Sequence, residues 1–147
     1  MVRQVDVAGK PEVARRAVVS GELVLGPAGR AAVRRGAVTK GDPVATGELA
    51  GLLAMKRTSE LLPHCHIVRL TASRVEIKPS ARGVRVRAEA SAVDRTGVEM
   101  EALVGATVAL LAVWDMVKYL EKDARGRYPR TRLGPVRVVT KEKGAVR

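Results

Sequence analysis

Both histidines of the chain fall in one tripeptide, His64-Cys65-His66, directly after Pro63. Two rings that titrate near neutral pH, with a thiol between them, can move protons or contact a substrate. They cannot complete a zinc shell, because no other cysteine or histidine exists to fill it. The plainer reading is a polar loop. Asp115 and Lys118 lie three residues apart, hence on one face of a helix. Asp115 closes the charge-free run 102–114, so partial burial is expected. A buried carboxylate beside a lysine is tuned for proton transfer; the plainer reading is an exposed ion pair. In Glu99-Met100-Glu101, Glu99 has a local role as the partner in a capping box begun by Thr96. Glu101 has none, and points away from Glu99 at about 100° per helical residue. Lys56-Arg57, with Lys40 upstream, offers a point charge and a planar fork for phosphates, or simply cations at a helix C-terminus.

These residues need elements to hold them. Asp42-Pro43 is a helix start, an acceptor side chain followed by proline at the first helical position. That helix is expected to run through Leu49, Leu52 and Leu53 to about Thr58, placing Lys56-Arg57 at its end. Residues 27–35 read as a shorter helix ended by Gly36. Residues 17–19 and 22–25 read as a strand or a hairpin around Ser20-Gly21. Residues 68–77 and the alternating 84–89 form a hairpin about the turn 79–83. A long helix is expected over about 97–122, and a short final strand over 136–139. Residues 5–10 read as a loose N-terminal segment. Strands and helices mix without regular alternation, which predicts one α+β domain over 1–147, an antiparallel sheet covered by helices.

The long helix is apolar on every face along 102–114, and such a helix must be covered on every face. One side can pack on the sheet; the other calls for a second subunit. At 13 residues the uncharged run is too short to span a bilayer, and no signal-peptide pattern opens the chain. One cysteine excludes an intrachain disulfide and fits a reducing cytoplasm.

The net charge of +12 sits at the two ends. Residues 1–40 carry eight basic and three acidic side chains, residues 121–147 nine and three, and the middle is nearly neutral with ten and nine. Such ends raise the alternative of a basic nucleic-acid-binding or ribosome-associated module. With Trp114, Tyr119 and Tyr128 as the only aromatics, binding of single strands by base stacking is poorly supported. A small polyanionic ligand accounts for the excess as well.

Taken in order, these groups carry a resemblance. Lys40-Gly41-Asp42, the stretch from Ala54-Met55-Lys56-Arg57-Thr58 through Pro63-His64-Cys65-His66, Thr96-Gly97-Val98-Glu99-Met100-Glu101-Ala102-Leu103 and Trp114-Asp115-Met116-Val117-Lys118 are similar to the molybdenum cofactor biosynthesis protein C family, the cyclic pyranopterin monophosphate synthases. Val5-Asp6-Val7 and Gly134-Pro135-Val136-Arg137 also match, and 122–132 looks like the archaeal form of the loop after the long helix. Two features depart from the family pattern: His64 and Ile67 stand where an apolar residue and a proline are usual, and the glycine- and lysine-rich tail is reduced to Lys141-Glu142-Lys143-Gly144.

The resemblance implies a ferredoxin-like fold and a cytoplasmic hexamer, a trimer of dimers with sites at the dimer interface. It implies a small-molecule substrate, 3′,8-cyclo-7,8-dihydro-GTP, rearranged to a pyranopterin with a cyclic phosphate as pyrophosphate leaves. Asp115 would then be catalytic and Lys118 its acid–base neighbour. His64, Cys65, His66, Met100 and Glu101 would contact substrate, and Lys40, Lys56 and Arg57 would meet phosphates. No redox cofactor, protein-bound metal, membrane or nucleic-acid partner is expected; magnesium would enter only with the pyrophosphate.

Overall fold

The computed structural model describes residues 1–36 and 38–145. Its first element, β1 (Val13–Val24), is one continuous strand rather than the hairpin that Ser20-Gly21 invites. Gly21 stands opposite Val86 in the ladder. A Cβ there would lie 3.1 Å from Leu110 and from Val86, so the glycine admits a close helix crossing instead of making a turn.

Next come α1 (Pro27–Arg35), α2 (Pro43–Met55), the short α3 (Thr58–Leu61), β2 (Leu70–Pro79), β3 (Gly83–Asp94), α4 (Glu99–Glu121), β4 (Arg132–Leu133) and β5 (Arg137–Gly144). The sheet is antiparallel throughout, in the order β2-β3-β1, with β4 and β5 both paired along the far edge of β1. The helices of the two crossovers cover one face. This is the ferredoxin-like α+β arrangement. The last strand is longer than its apolar letters indicate: Lys141, Glu142, Lys143 and Gly144 pair with the start of β1, so the short tail is part of the sheet.

Alternation sorts the two faces. Ala17, Val19 and Leu23 of β1, Val84, Val86, Ala88 and Ala90 of β3, and Val75 and Ile77 of β2 form the core with Ala106, Ala109, Leu110, Val113 and Val117 of α4. The opposite face is mostly polar, with Arg16, Ser20, Glu22, Arg85, Arg87 and Glu89 around a buried Val18.

Helix ends follow local rules in some places and break them in others. Asp42 caps α2, its Oδ1 accepting from the Val44 and Ala45 amides at 2.8 and 3.2 Å. Gly36 ends α1 at φ +70°. Glu121, at the far end of α4, is buried and accepts from the Gly26 and Gly29 amides at 2.7 and 3.0 Å and from the Thr131 hydroxyl; it caps α1 from across the fold. By contrast, α2 stops at Met55 and the chain turns once more as α3. Arg57 stands at the junction, before α3, and the Thr58 hydroxyl donates to the Met55 carbonyl at 2.9 Å. The expected capping box is also absent. Val98, not Thr96, is the N-cap residue of α4, so Glu99 is the first helical residue rather than the third, and it pairs with Lys141 of β5, 2.5 Å away.

The helix α2 runs against α4 with very small residues between them. A Cβ on Gly51 would sit 2.8 Å from the Gly105 carbonyl oxygen, so only glycine lets the two backbones approach this closely. Although α4 is long and apolar enough to meet the composition of a membrane span, half of that window is buried inside the fold. It is the core helix of the layer structure.

Candidate active site

The elements bring the chemistry-bearing residues into two groups, one at each end of α4. At its start, His64, Cys65 and His66 line a cavity of about 190 Å³ together with Thr96, Met100 and Glu101. The cavity joins the loop between α3 and β2 to the first turn of α4. Glu101 is 4% exposed, and Glu101 Oε2 has no hydrogen-bond partner among the described residues; neither has the buried Thr96 Oγ1. Burial pushes the Glu101 carboxyl above its ordinary value, and the Glu99 and Asp94 carboxylates add to the effect. Burial likewise pushes the Cys65 thiol up, with Glu101 adding to it, which favours the neutral thiol over the thiolate.

Each histidine is held by a carbonyl of the N-terminal segment. His64 Nδ1 donates to the Arg3 carbonyl and His66 Nε2 to the Val5 carbonyl, each at 2.7 Å. The Gln4 side-chain amide donates to the Cys65 carbonyl at 2.8 Å. The chain is thus laced to this loop over residues 3–5, of which only Val5 belongs to the segment 5–10 expected to be loose. The Val5-Asp6-Val7 match was the one signal in the sequence that pointed here.

At the other end, Asp115 sits between two ammonium groups. Lys118 Nζ is 2.6 Å from Oδ1 and Lys40 Nζ is 2.8 Å from Oδ2. Lys40 also donates to the Asp115 carbonyl at 3.1 Å. The hydrogen bonds from Lys118 first, then Lys40, lower the Asp115 carboxyl to about 2, and Asp115 in turn raises Lys118. Asp115 is not partly buried as its position after an uncharged run implies. Its side chain is 54% exposed, because at this point the helix surface faces outward: Leu111, one turn earlier, is 45% exposed.

Lys56 and Arg57 are exposed at the end of α2. Since α2 runs against α4, with Met55 packed at Gly105, they lie towards the Glu101 end of that helix. One chain therefore places Lys56, Arg57 and the 64–66 loop at one end, and Lys40, Asp115 and Lys118 at the other. Glu101 and Asp115 are fourteen positions apart, about 21 Å along the axis. A larger hollow, about 970 Å³, lies elsewhere, on the open sheet face between Ser20, Arg85, Arg87 and Arg137.

The whole pattern, both end groups included, falls inside one family model. Residues 4–144 match that of the MoaC family. The chain belongs to the MoaC family. Among its relatives, a protein from Methanoregula boonei is 44% identical over 97% of this chain and 92% of its own length. One from Archaeoglobus fulgidus is 45% identical over the same shares. One from Methanopyrus kandleri is 46% identical over 93% of this chain and 90% of its own. Each of these relatives is described as a probable cyclic pyranopterin monophosphate synthase.

Proposed function

We propose that the protein is a cyclic pyranopterin monophosphate synthase, a lyase of molybdenum cofactor biosynthesis acting in the cytoplasm on 3′,8-cyclo-7,8-dihydro-GTP. The observation that carries this reading is the cavity at the start of α4, where the 64–66 loop meets Met100 and a buried, half-satisfied Glu101. At about 190 Å³ it is smaller than the roughly 300–1,000 Å³ of a complete small-ligand site. It accommodates the ring system of such a substrate and leaves the triphosphate to other groups.

Those groups are the cations. Lys40 and Lys118, held by Asp115, carry a net positive charge suited to a polyphosphate, and Lys56 and Arg57 add to it. To form the cyclic phosphate, a hydroxyl of the sugar-derived part attacks the α-phosphorus. The bond from that phosphorus to the bridging oxygen breaks, and pyrophosphate leaves with the electron pair. The hydroxyl proton must pass to a base, while ammonium groups meet the charge on the leaving oxygens. Asp115 is ionised in the free chain and orients both lysines. Covering it with substrate and a neighbouring subunit desolvates it, which shifts it towards proton exchange with Lys118. Magnesium would travel with the pyrophosphate.

A single chain separates the two groups, so the complete site is drawn from two subunits. The outer helix faces support that assembly: Leu49 and Leu53 of α2 and Leu111 of α4 are 60, 47 and 45% exposed. Apolar side chains left out in this way mark a protein contact. We place the assembly as a hexamer, a trimer of dimers. A nucleic-acid module is disfavoured because acids interrupt the basic face, with Glu89 between Arg16 and Arg87 and Glu76 between Arg74 and Lys78. Trp114 and Tyr128 are also spent on each other, edge to face at 5.5 Å. Incubation with the cyclised GTP compound should release pyrophosphate; a purified, folded protein that releases none refutes the function.

A further inference from the structure

We infer that the Thr96 hydroxyl is a substrate-binding group, which hydrogen-bonds the polar edge of the substrate's aminopyrimidinone ring beside Glu101. The inference rests on the proposed function and assigns a residue that the motif chemistry leaves out, since the sequence reads Thr96 as a helix cap. In the fold Thr96 caps nothing, because α4 starts after Val98 with no side-chain cap.

Thr96 is nevertheless held in place. Asp94, the last residue of β3, accepts from the Arg95 and Thr96 amides at 2.6 and 3.3 Å. This turn delivers the Thr96 side chain to the cavity wall that also holds Met100 and Glu101. There the hydroxyl is buried and bonded to nothing among the described residues, and the same is true of Glu101 Oε2. A buried polar atom without a partner costs about 1–3 kcal/mol, and most folded proteins hold few of them. Both residues line one small cavity, and a ligand seated there would supply the missing partners. A hydroxyl both donates and accepts, and a carboxyl does so once protonated. An aminopyrimidinone presents ring N–H and amino donors next to a carbonyl acceptor, which complements that pair. The triphosphate does not: it is all acceptor and would meet the Glu101 carboxylate as a like charge.

A structural role and a binding role for this hydroxyl have opposite signatures. Thr96→Val keeps the shape and removes only the oxygen. If the hydroxyl waits for a ligand, the variant keeps or raises Tm, while kcat/KM for pyrophosphate release from the cyclised GTP compound falls about tenfold or more, chiefly through KM. Thr96→Ser restores the hydroxyl and should stay within about threefold of the wild type. Unchanged kcat/KM in Thr96→Val overturns the assignment. So does a Thr96→Val protein that fails to fold or loses several degrees of Tm, because the hydroxyl then has a structural partner. A wild-type protein that releases no pyrophosphate overturns the function itself and this assignment with it, whereas an active wild type beside an equally active Thr96→Val removes the assignment alone.

Discussion

Lys40 Nζ sits 2.8 Å from Asp115 Oδ2, tying the loop before α2 to a helix residue 75 positions later. Lys118 completes the arrangement at 2.6 Å from the other carboxylate oxygen. All three side chains are roughly half exposed, and ion pairs this exposed contribute little to stability. Asp115→Asn should therefore abolish most pyrophosphate release, by about 100-fold or more, with thermal unfolding almost unmoved. Lys40→Ala and Lys56→Ala should weaken calorimetric binding of a non-reactive GTP analogue. Unchanged affinity in both variants would return these lysines to a merely solvated role. The Asp115 carboxyl, lowered to about 2 from an ordinary 3.8, keeps its ion pairs at full strength above that ordinary value. In the single chain it loses them only as pH falls towards 2.

Glu101 behaves in the opposite sense. Its folded-state value is raised by burial above the ordinary 4.5, so the folded protein holds this proton more tightly than the unfolded chain does. Stability then declines as pH rises from about 4.5 through the raised value. Glu101→Gln removes the buried charge. It should raise Tm at pH 7–8 by roughly 3 °C, about 1 kcal/mol, and the difference from wild type should vanish below pH 4. Differential scanning calorimetry across this range tests it; a Tm gain independent of pH would mean that desolvated charge is not the cause.

Glu101→Ala and Asp115→Asn proteins, each inactive alone, should partly regain activity when mixed and allowed to exchange subunits. The motivation is the axial distance of about 21 Å between the two residues. Mixed dimers then contain some sites with both native side chains. No recovery after proven exchange would place both residues of a site on one chain. In parallel, Leu53→Glu should lower the mass seen by light scattering and the activity together.

Glu121 is the structural counterpart of these residues. Its carboxylate takes two amides at the start of α1 and the Thr131 hydroxyl, so Glu121→Ala strands three buried donors. A loss of about 3 kcal/mol is expected, read by urea unfolding. A loss below about 1 kcal/mol would show that the donors find other partners.

Much of this protein was legible in its letters because the deciding interactions are local. Asp42-Pro43 and Gly36 mark helix ends through contacts within a few residues, and the alternation in 84–89 marks a strand with one wet face. The motif runs 54–66 and 96–103 carry the family in a form that does not depend on knowing the fold. Thr96, Glu121, Asp115 and Gly21 show where that reading stops. A capping box and an N-terminal carboxylate compete with distant partners, and only the fold reveals that Lys141 takes Glu99 and that Glu121 caps a helix begun 95 residues earlier. Exposure of Asp115 depends on which side of α4 meets the sheet, which 3.6-residue periodicity cannot assign in a run without charges. Gly21 reads as a turn until a helix is seen crossing it. Motif order determined the family, while composition and charge placement left a nucleic acid and a small polyanion both open. Tertiary structure alone decided which polar atoms stay unpaired, because pairing depends on residues far apart in sequence meeting at hydrogen-bond distance.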